Sequence, residues 1–507
     1  MTFRAIRALH ACIGSAIDEL EHIYKQSGTP PSDFPAMDDP IFSQATAEQL
    51  VNDPAALVPI RHIVAACAQL SATVNRPFDS IIDAVLGGQL SACVRFMEAA
   101  HVVEILREAG PGGMQVDDIY QAIISLRPVN LVASPDTKNL TSERLVHILR
   151  VLATTHFLRE VSPNVFANNR RSSVIDTGKA LEELRRDPAN KYTSTNGMAA
   201  TVSHISDELS KSGMYLSEWL LPDVDYIDPS GHYGMFCKNN GRTHEVQQGI
   251  HHFAPLNIAY HTKLPYFDWL ELPGHTHRLK RLEHSMTGTG AWEVKDELLR
   301  AFPWDKLGPD SLLVDVGGGI GSASIPIAQA HPHIRVIIED RLPVIESAHA
   351  AWGSNHKALF QSGRVSWCTR DFFAPWFPFA NDKVPDVFLL RLVLHDWPDE
   401  DALKILRELR PAAGPHTRLI IGDLLLMHAC HNENGEALVG RDSPLLANLG
   451  AASLRPYLLD LTMTAILAGK ERTMDEMATL LLSAGWKMTE VKRSPTSLWA
   501  YTIAVPV

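Results

Sequence analysis

The glycine-rich turn at residues 317–321 constrains the fold of this chain more than any other feature. An apolar run, Leu312–Val316, leads directly into this turn, and a helical pattern follows from about Ser322. Glycines at alternate positions let a backbone turn sharply and approach a ligand closely at the N-terminus of a helix. The strand, turn and helix therefore predict a βαβ domain with a ligand-binding crevice at the carboxyl end of the strand.

The spacing of the glycines separates two classes of cofactor. A nicotinamide-binding fingerprint would place its third glycine at position 322, which is Ser322. The observed spacing, with Gly317, Gly319 and Gly321, resembles the first motif of S-adenosylmethionine methyltransferases, whose cofactor has no pyrophosphate. The alternative, a glycine turn in an unrelated α/β domain, is less favoured once the acidic residues that follow are considered.

Acidic residues follow the next two predicted strands. The apolar run Val336–Ile338 ends at Glu339 and Asp340, about 20 residues beyond the turn, which is where a carboxylate should bind the ribose hydroxyls. Asp371 and Phe372 follow a further short strand and are candidates for contact with adenine. These positions predict a nucleoside-type ligand beside the glycine turn.

Short apolar runs alternate with helical patterns from Ser311 onward, which indicates βαβ units and a parallel sheet. The chain then ends in two runs that predict a closing hairpin. The fold class is therefore α/β, with a Rossmann-like sheet that has helices on both faces. The predicted strands are Leu312–Val316, Val336–Ile338, Val387–Leu390, Leu419–Ile421, Lys487–Val491 and Leu498–Ala504.

The N-terminal part of the chain is predicted to be mainly helical. Residues 1–110 form a helical region, and residues 111–190 carry a helix and a hairpin in the outline of a winged helix. Residues 191–305 form a helical linker region, and residues 306–507 form the α/β domain with the glycine turn. Two Pro/Gly/Asn-bearing insertions, at 222–241 and 428–456, interrupt this plan.

Charge and cysteine usage argue against several classes of partner and compartment. The net charge of −12 argues against nucleic acid, which requires a basic surface, and gives no attraction to an anionic membrane. No uncharged apolar run approaches the ~18 residues of a membrane span. The six cysteines lie far apart and include no CxxC pair, which indicates free thiols in a reducing compartment. We therefore expect a cytoplasmic protein.

A histidine at the end of a predicted strand supplies the candidate base. The apolar run before residue 391 leads into Leu394-His395-Asp396-Trp397, so His395 should lie near the crevice. Methyl transfer to an oxygen requires a better nucleophile than a neutral hydroxyl group. A phenol has a pKa of about 10, and a histidine with a pKa of about 6.5 can take its proton near neutral pH. Asp423, expected just after Leu419–Ile421, and Glu471 are the two candidates for holding the other ring nitrogen. Trp397 is interpreted either as a core aromatic or as packing on the cofactor.

Taken together, the segments 313–321, 394–397 and 469–473 resemble the plant and fungal caffeate/flavonoid-type O-methyltransferases, with a wing like that of the fungal members at 159–169. The resemblance implies S-adenosylmethionine as methyl donor, S-adenosylhomocysteine as product, no metal, and a homodimer. It also implies that residues 1–110 and the winged helix serve dimerisation, that residues 191–305 contribute to the substrate pocket, and that residues 306–507 bind the cofactor. It implies that His395 is the general base, flanked by Asp423 and Glu471, and that Met286 faces a small phenolic substrate. The predicted cofactor contacts are Gly317, Gly319, Asp340, Asp371, Phe372, Arg391, Asp396 and Trp397.

Some positions depart from the plant members of this family. Asp423 stands where they usually carry Glu, so its shorter side chain needs a shifted backbone to reach His395, and Arg391 stands where they carry Lys. The acceptor is left open among an aromatic polyketide, a simple phenol and a flavonoid. Two alternatives also stay open: a catalytically silent protein that acts as a regulatory or partner-binding subunit, and methylation of carbon or nitrogen.

Overall fold

The computed structural model describes residues 3–27, 33–40, 46–127, 139–221, 253–292, 296–375, 383–432, 437–494 and 497–507. The chain divides into two compact units. The helical unit comprises Met1–His251 and Leu256–Ala291, and the sheet unit comprises His252–Pro255 and Trp292–Val507. The predicted insertion at 222–241 lies outside the described residues, and the four-part division of the chain stays a prediction.

The helical unit is built mainly from helices, as expected. Its helices are α1 (Phe3–Gln26), α2 (Thr46–Leu50), α3 (Pro54–Val74), α4 (Pro77–Val85), α5 (Gly87–Ala99), α6 (Val102–Ala109), α7 (Val116–Leu126), α8 (Ser142–Thr154), α9 (Leu181–Arg186), α10 (Met198–His204), α11 (Ser210–Gly213), α12 (Leu216–Leu220), α13 (Pro255–Ala259), α14 (Tyr266–Leu270) and α15 (Thr276–Thr289). A single π-helical turn, Ile205–Leu209, joins α10 to α11.

A small sheet accompanies these helices. Its strands are β1 (Met114–Gln115), β2 (Arg159–Ser162) and β3 (Val165–Ala167), in the order β1-β3-β2. The predicted hairpin is present: β2 and β3 pair antiparallel around Asn164, whose φ is 64°. The side chains that α6, α7 and α8 turn inward share one apolar core with Phe166 of β3, so helix and hairpin stabilise each other by apolar burial.

Helix α15, which carries Met286, packs closely on α10. A Cβ atom on Gly197 would lie 2.4 Å from the backbone nitrogen of Gly288, and one on Gly288 would lie 2.2 Å from Thr201 Oγ1. Glycine is required on both sides of this contact because any side chain would separate the helices. Met286 itself is 50% exposed.

One described helix, α3, is long and apolar enough to cross a membrane by length and composition. The bent pair formed by α4 and α5 passes the same test as one span. Core helices of soluble proteins and signal sequences meet this criterion too, and α3 packs along α1. Length and composition alone therefore do not place this helix in a membrane.

The sheet unit contains eight described strands in one sheet. They are β4 (Ser311–Val316), β5 (Ile334–Asp340), β6 (Val365–Thr369), β7 (Val387–Arg391), β8 (Arg418–Leu426), β9 (Arg472–Thr473), β10 (Trp486–Arg493) and β11 (Trp499–Pro506). Its helices are α16 (Glu297–Ala301), α17 (Ser324–Ala330), α18 (Leu342–Asn355), α19 (Lys357–Gln361), α20 (Asp399–Leu409), α21 (Leu454–Leu467) and α22 (Met474–Ser483).

The strand order is β10-β11-β8-β7-β4-β5-β6, with β9 paired to β8. Strands β4 to β8 run parallel, and β10 and β11 form the predicted antiparallel hairpin at one edge. Apolar cores cover both faces of the sheet, so the α/β class is confirmed. The strand order reverses at β4, which has β5 on one side and β7 on the other. Ligands of open α/β sheets bind at this switch point, outside the carboxyl ends of the strands.

The prediction that Asp423 follows its strand is wrong, because β8 continues to Leu426. Residues 424–426 are all leucine, which suits a buried strand. This segment pairs with β11 at Leu424 and with β9 at Leu425 and Leu426. Asp423 therefore lies within the strand, directly opposite Ala500 of β11.

Candidate active site

The glycine-rich turn between β4 and α17 has a backbone that requires glycine. Gly317, Gly319 and Gly321 have φ angles of 67°, 60° and 83°, in the left-handed region that residues with a Cβ atom rarely adopt. A Cβ atom on Gly317 would lie 3.0 Å from the side chain of Val393, whereas one on Gly319 would meet nothing within 4 Å. The turn is therefore packed at Gly317 and open at Gly319, where a ligand can approach the backbone.

Asp315, which the sequence reasoning did not single out, lies in β4 just before the glycine turn and holds that turn in place. Its carboxylate is buried and accepts a hydrogen bond from the Ser324 hydroxyl at the start of α17. A Cβ atom on Gly318 would lie 2.6 Å from Asp315 Cγ. Burial raises the pKa of Asp315 to about 6, although the bond from Ser324 and the charge of Arg391 oppose that shift.

Asp340, at the end of β5, contacts the glycine turn directly. The backbone N–H groups of Gly319 and Arg341 donate to its two carboxylate oxygens, each at 2.8 Å. A carboxylate oxygen can accept a further hydrogen bond, so Asp340 can also accept one from a ribose hydroxyl. Glu339, the other candidate, is buried and forms an ion pair with Arg370 at 3.0 Å. The geometry therefore favours Asp340 over Glu339 for contact with the ribose.

Aromatic side chains border the turn. Phe372 lies 3.6 Å from where a Cβ atom on Gly317 would stand. Its ring and that of Phe373 meet the Trp397 ring edge to face, with centroids 5.7 and 4.7 Å apart. Phe373, which the sequence reasoning missed, is thus part of this aromatic group. Asp371 is exposed and accepts a hydrogen bond from the backbone of Phe373 at 2.9 Å, so it fixes this loop.

These residues fit the adenosyl and amino-acid parts of S-adenosylmethionine. The open backbone at Gly319 gives room for close approach, the Asp340 carboxylate can bind hydroxyls, and Phe372, Phe373 and Trp397 offer apolar surface for a base. Arg391, at the end of β7, is half-buried, and its guanidinium carbon lies 5.9 Å from the centre of the Trp499 ring.

His395 lies in a short 3-10 turn, Leu394–Asp396, that follows β7. Its Nδ1 is 2.7 Å from Glu471 Oε1, and its side chain is only 12% exposed. This hydrogen bond joins residues 76 positions apart. With Nδ1 bound to a carboxylate, Nε2 is the ring atom left to accept a proton from a substrate.

Three carboxylates set the charge state of His395. Burial by itself lowers the pKa of His395, but the charges of Glu471 and Asp396, the hydrogen bond to Glu471 and the charge of Asp423 together raise it to about 10. Among the described residues no group of three or more His, Cys, Asp or Glu is arranged to hold a metal ion. The hydrogen bond to Glu471 and the neighbouring carboxylate charges suit His395 to holding and moving a proton.

Asp396 and Asp423 take positions that the sequence did not specify. Asp396, predicted to bind the cofactor, has its Oδ1 3.4 Å from His395 Nε2, and burial raises the pKa of Asp396 to about 6. Asp423 is buried, and no described residue donates a hydrogen bond to either of its oxygens. Burial also raises the pKa of Asp423, while the charge of His395 lowers it. Asp423 thus acts on His395 through charge and forms no hydrogen bond with it.

Known proteins share both sequence and fold with this chain. An O-methyltransferase domain family matches residues 280–487. The chain is 33% identical to an O-methyltransferase of Armillaria gallica, over 99% of both chains. It is 32% identical to 4-O-methyltransferase 1 of Phanerochaete chrysosporium, over 96% of both. Its fold is similar to the structure of the LepI complex with SAM, with a TM-score of 0.61 at 17% identity over 91% of this chain and 97% of that one.

The fold and the site define a class I, Rossmann-like methyltransferase that depends on S-adenosylmethionine. Within that class, the chain belongs to the fungal branch of the O-methyltransferase family, and it is an O-methyltransferase enzyme.

Proposed function

We propose that this enzyme methylates a phenolic hydroxyl of a small aromatic molecule, with His395 as general base. The observation that supports the proposal most is the pairing of His395 Nδ1 with Glu471 at 2.7 Å, which leaves Nε2 to receive the phenol proton. When bound, the cofactor supplies an electrophilic methyl group on its sulfonium sulfur. The protein aligns the acceptor, removes its proton and excludes water.

The charges around His395 support a phenol as the acceptor. The surrounding carboxylates raise the pKa of His395 well above that of an ordinary histidine, about 6.5, and toward that of a phenol, about 10. The unprotonated imidazole, which becomes abundant as the pH rises toward this value, is therefore a stronger base toward a phenol than an ordinary histidine is. An aliphatic alcohol, which is far less acidic, gains much less from this base.

The experiment is an acceptor panel. Purified enzyme, S-adenosylmethionine and a set of monophenols, diphenols, anilines and aliphatic alcohols are incubated, and mass spectrometry follows S-adenosylhomocysteine and the methylated product. We expect turnover of at least one phenol with the methyl group on oxygen. Methylation confined to nitrogen, carbon or aliphatic oxygen would overturn the proposal, and so would cofactor binding without turnover of any acceptor.

We further propose that the enzyme is a homodimer that uses the apolar face of α4 and of the residue that follows it, defined here by Phe78, Ile81, Ile82, Val85 and Leu86. No residue of α4 is buried, and four of these five side chains are more than half exposed. Their spacing places them on one side of the helix. A contiguous exposed apolar face of this kind is typical of a protein contact. The resemblance to the caffeate-type enzymes supports a second copy of the chain as the occupant.

Placing a charge on this face should dissociate the dimer. We expect Ile81→Glu and Val85→Glu to raise the dimer dissociation constant roughly 30-fold or more, the size of a hot-spot residue at about 2 kcal/mol. Ala84→Glu, which adds the same charge to α4 away from the apolar face, is the matched control and should leave the constant within about threefold. Analytical ultracentrifugation measures all three. A wild-type monomer at every concentration, or equal effects of the three variants, would contradict the proposal.

A further inference from the structure

The segment Gly469–Arg472 lies against the backbone turn that carries His395. Arg472 belongs to β9 and pairs with Leu425 of β8, so the segment is anchored to the sheet. A Cβ atom on Gly469 would lie 2.2 Å from the carbonyl oxygen of His395 and 2.6 Å from the carbonyl carbon of Asp396. Only glycine allows this approach, because a side chain at that position would displace the turn.

The guanidinium of Arg472 binds the turn on both sides of the His395-Asp396 pair. Nη1 donates to the carbonyl oxygen of Leu394 at 2.8 Å, and Nη2 donates to that of Trp397 at 2.9 Å. The two carbonyls belong to the residues immediately before and after the pair. The planar guanidinium holds its donors in a fixed geometry, so a single side chain sets the spacing of the turn's two ends.

A third contact orients the guanidinium itself. Arg472 Nε donates to Asp399 Oδ1 at 2.9 Å, and Lys470 Nζ lies 2.9 Å from Asp399 Oδ2. Arg472 is only 1% exposed, whereas the Asp399 side chain is 54% exposed. The charge of Arg472 also lowers the pKa of the buried Asp423 carboxyl.

We propose that Arg472 is a positioning residue for methyl transfer. It holds the Leu394–Trp397 turn so that His395 keeps its hydrogen bond to Glu471 and the orientation of its Nε2 atom. The inference rests on the proposed role of His395 as base. A lysine cannot replace this function, because its ammonium is a point charge that does not span two carbonyl groups in one plane. Replacing a buried arginine with a purely structural role would lower the stability of the fold. Replacing Arg472 should instead disturb the hydrogen bond and the orientation of His395 while the fold remains intact.

The test compares Arg472→Lys with a matched control, Arg410→Lys. Arg410 also donates to two backbone carbonyls, those of Gly485 and Val507, at 2.9 and 3.1 Å. We expect Arg472→Lys to lower kcat about 10- to 100-fold, with the KM for the phenol and the Kd for S-adenosylmethionine within about threefold of wild type, as one to two lost charge-assisted hydrogen bonds would predict. We expect Arg410→Lys to lower the Tm about as much as Arg472→Lys does. It should leave kcat within about threefold of wild type.

A proton NMR measurement on the free enzyme separates this inference from the proposed function. The proton between His395 Nδ1 and Glu471 should give a low-field resonance, assigned by its loss in His395→Gln. We expect the resonance to broaden or vanish in Arg472→Lys and to persist in Arg410→Lys, whether or not any phenol is methylated. Unchanged kcat, pH profile and resonance in Arg472→Lys would overturn the inference.

Asp399→Asn provides a second variant in case Arg472→Lys does not fold. Asp399 is more than half exposed, so its replacement should leave the fold intact while it loosens the guanidinium. We expect a smaller loss of kcat, about threefold, with the same broadening of the resonance. A sharp, unshifted resonance in a folded Asp399→Asn, together with wild-type kcat, would also count against the role of Arg472.

Discussion

Replacing His395 with glutamine should lower kcat for an ordinary phenol by about 10²- to 10⁴-fold, the contribution of a well-placed general base. Binding of S-adenosylmethionine should change by less than about threefold, because the glycine turn, Asp340 and the aromatic group are untouched. Glutamine keeps a hydrogen-bonding side chain of similar length but cannot take a proton at any accessible pH. Steady-state kinetics measured beside calorimetric binding of the cofactor separate the two effects.

Phenols of different acidity provide a second test of this prediction. A phenol that carries electron-withdrawing groups and is already ionised at the assay pH needs no base, so the variant should lose much less activity with it. The ratio of wild-type to variant rate should therefore fall steadily as the pKa of the acceptor falls. His333→Gln, which replaces another histidine of the sheet unit that contacts a backbone carbonyl, is the matched control. An equal loss for every acceptor would show that His395 serves only to shape the pocket.

The sequence alone predicts much of the sheet unit, because local patterns determine it. The glycine turn after Leu312–Val316, the acidic residue at the end of the next strand and the closing hairpin all depend on residues near one another in the chain. Right-handed βαβ connections are expected from such patterns, but they do not fix the strand order, in which the chain passes from β6 at the edge to β7 on the other side of β4. The alternation of apolar runs thus places His395 and Asp340 at the same edge of one sheet before any coordinates are known.

The contacts within the site were harder to predict, since they join residues far apart in sequence. The strand β9 has only two residues, too few for a periodic signal, yet it brings Glu471 to His395 and Arg472 to Leu394. The extent of β8 depends on pairing with β11 and β9, so the sequence placed Asp423 at the end of the strand when it lies inside. Which carboxylate reaches the imidazole is decided by these pairings, and no local pattern records them.

Replacing Glu471 with glutamine should change the pH dependence of the enzyme as well as its rate. The charge of Glu471 is the main influence that raises the pKa of His395 toward about 10 against the effect of burial. Glutamine keeps an oxygen that can accept a hydrogen bond from Nδ1 but carries no charge, so the pKa of His395 should fall below its value in the wild type. Base-dependent kcat should then reach its plateau at lower pH. Its maximum should drop about 10²-fold, because the imidazolium that forms is no longer stabilised by an adjacent carboxylate.

The effect of Glu471 on the pKa of His395 should also appear in the pH dependence of the protein's stability. Linkage between protonation and folding gives the direction of this effect. A histidine whose pKa is raised by folding contributes stability that is fully present below its unfolded pKa, about 6.5, and is lost as the pH rises through the folded value. Wild type should therefore lose this contribution between pH 6.5 and about 10, and the difference in Tm between wild type and Glu471→Gln should narrow over that window. Glu104→Gln is the matched control, since it removes a buried glutamate that accepts hydrogen bonds from Thr177 and forms no hydrogen bond or ion pair with a histidine among the described residues. A Tm difference that stays constant from pH 6 to pH 10, with an unshifted kcat profile, would mean that Glu471 holds His395 by shape alone and that its charge has no part in setting the base.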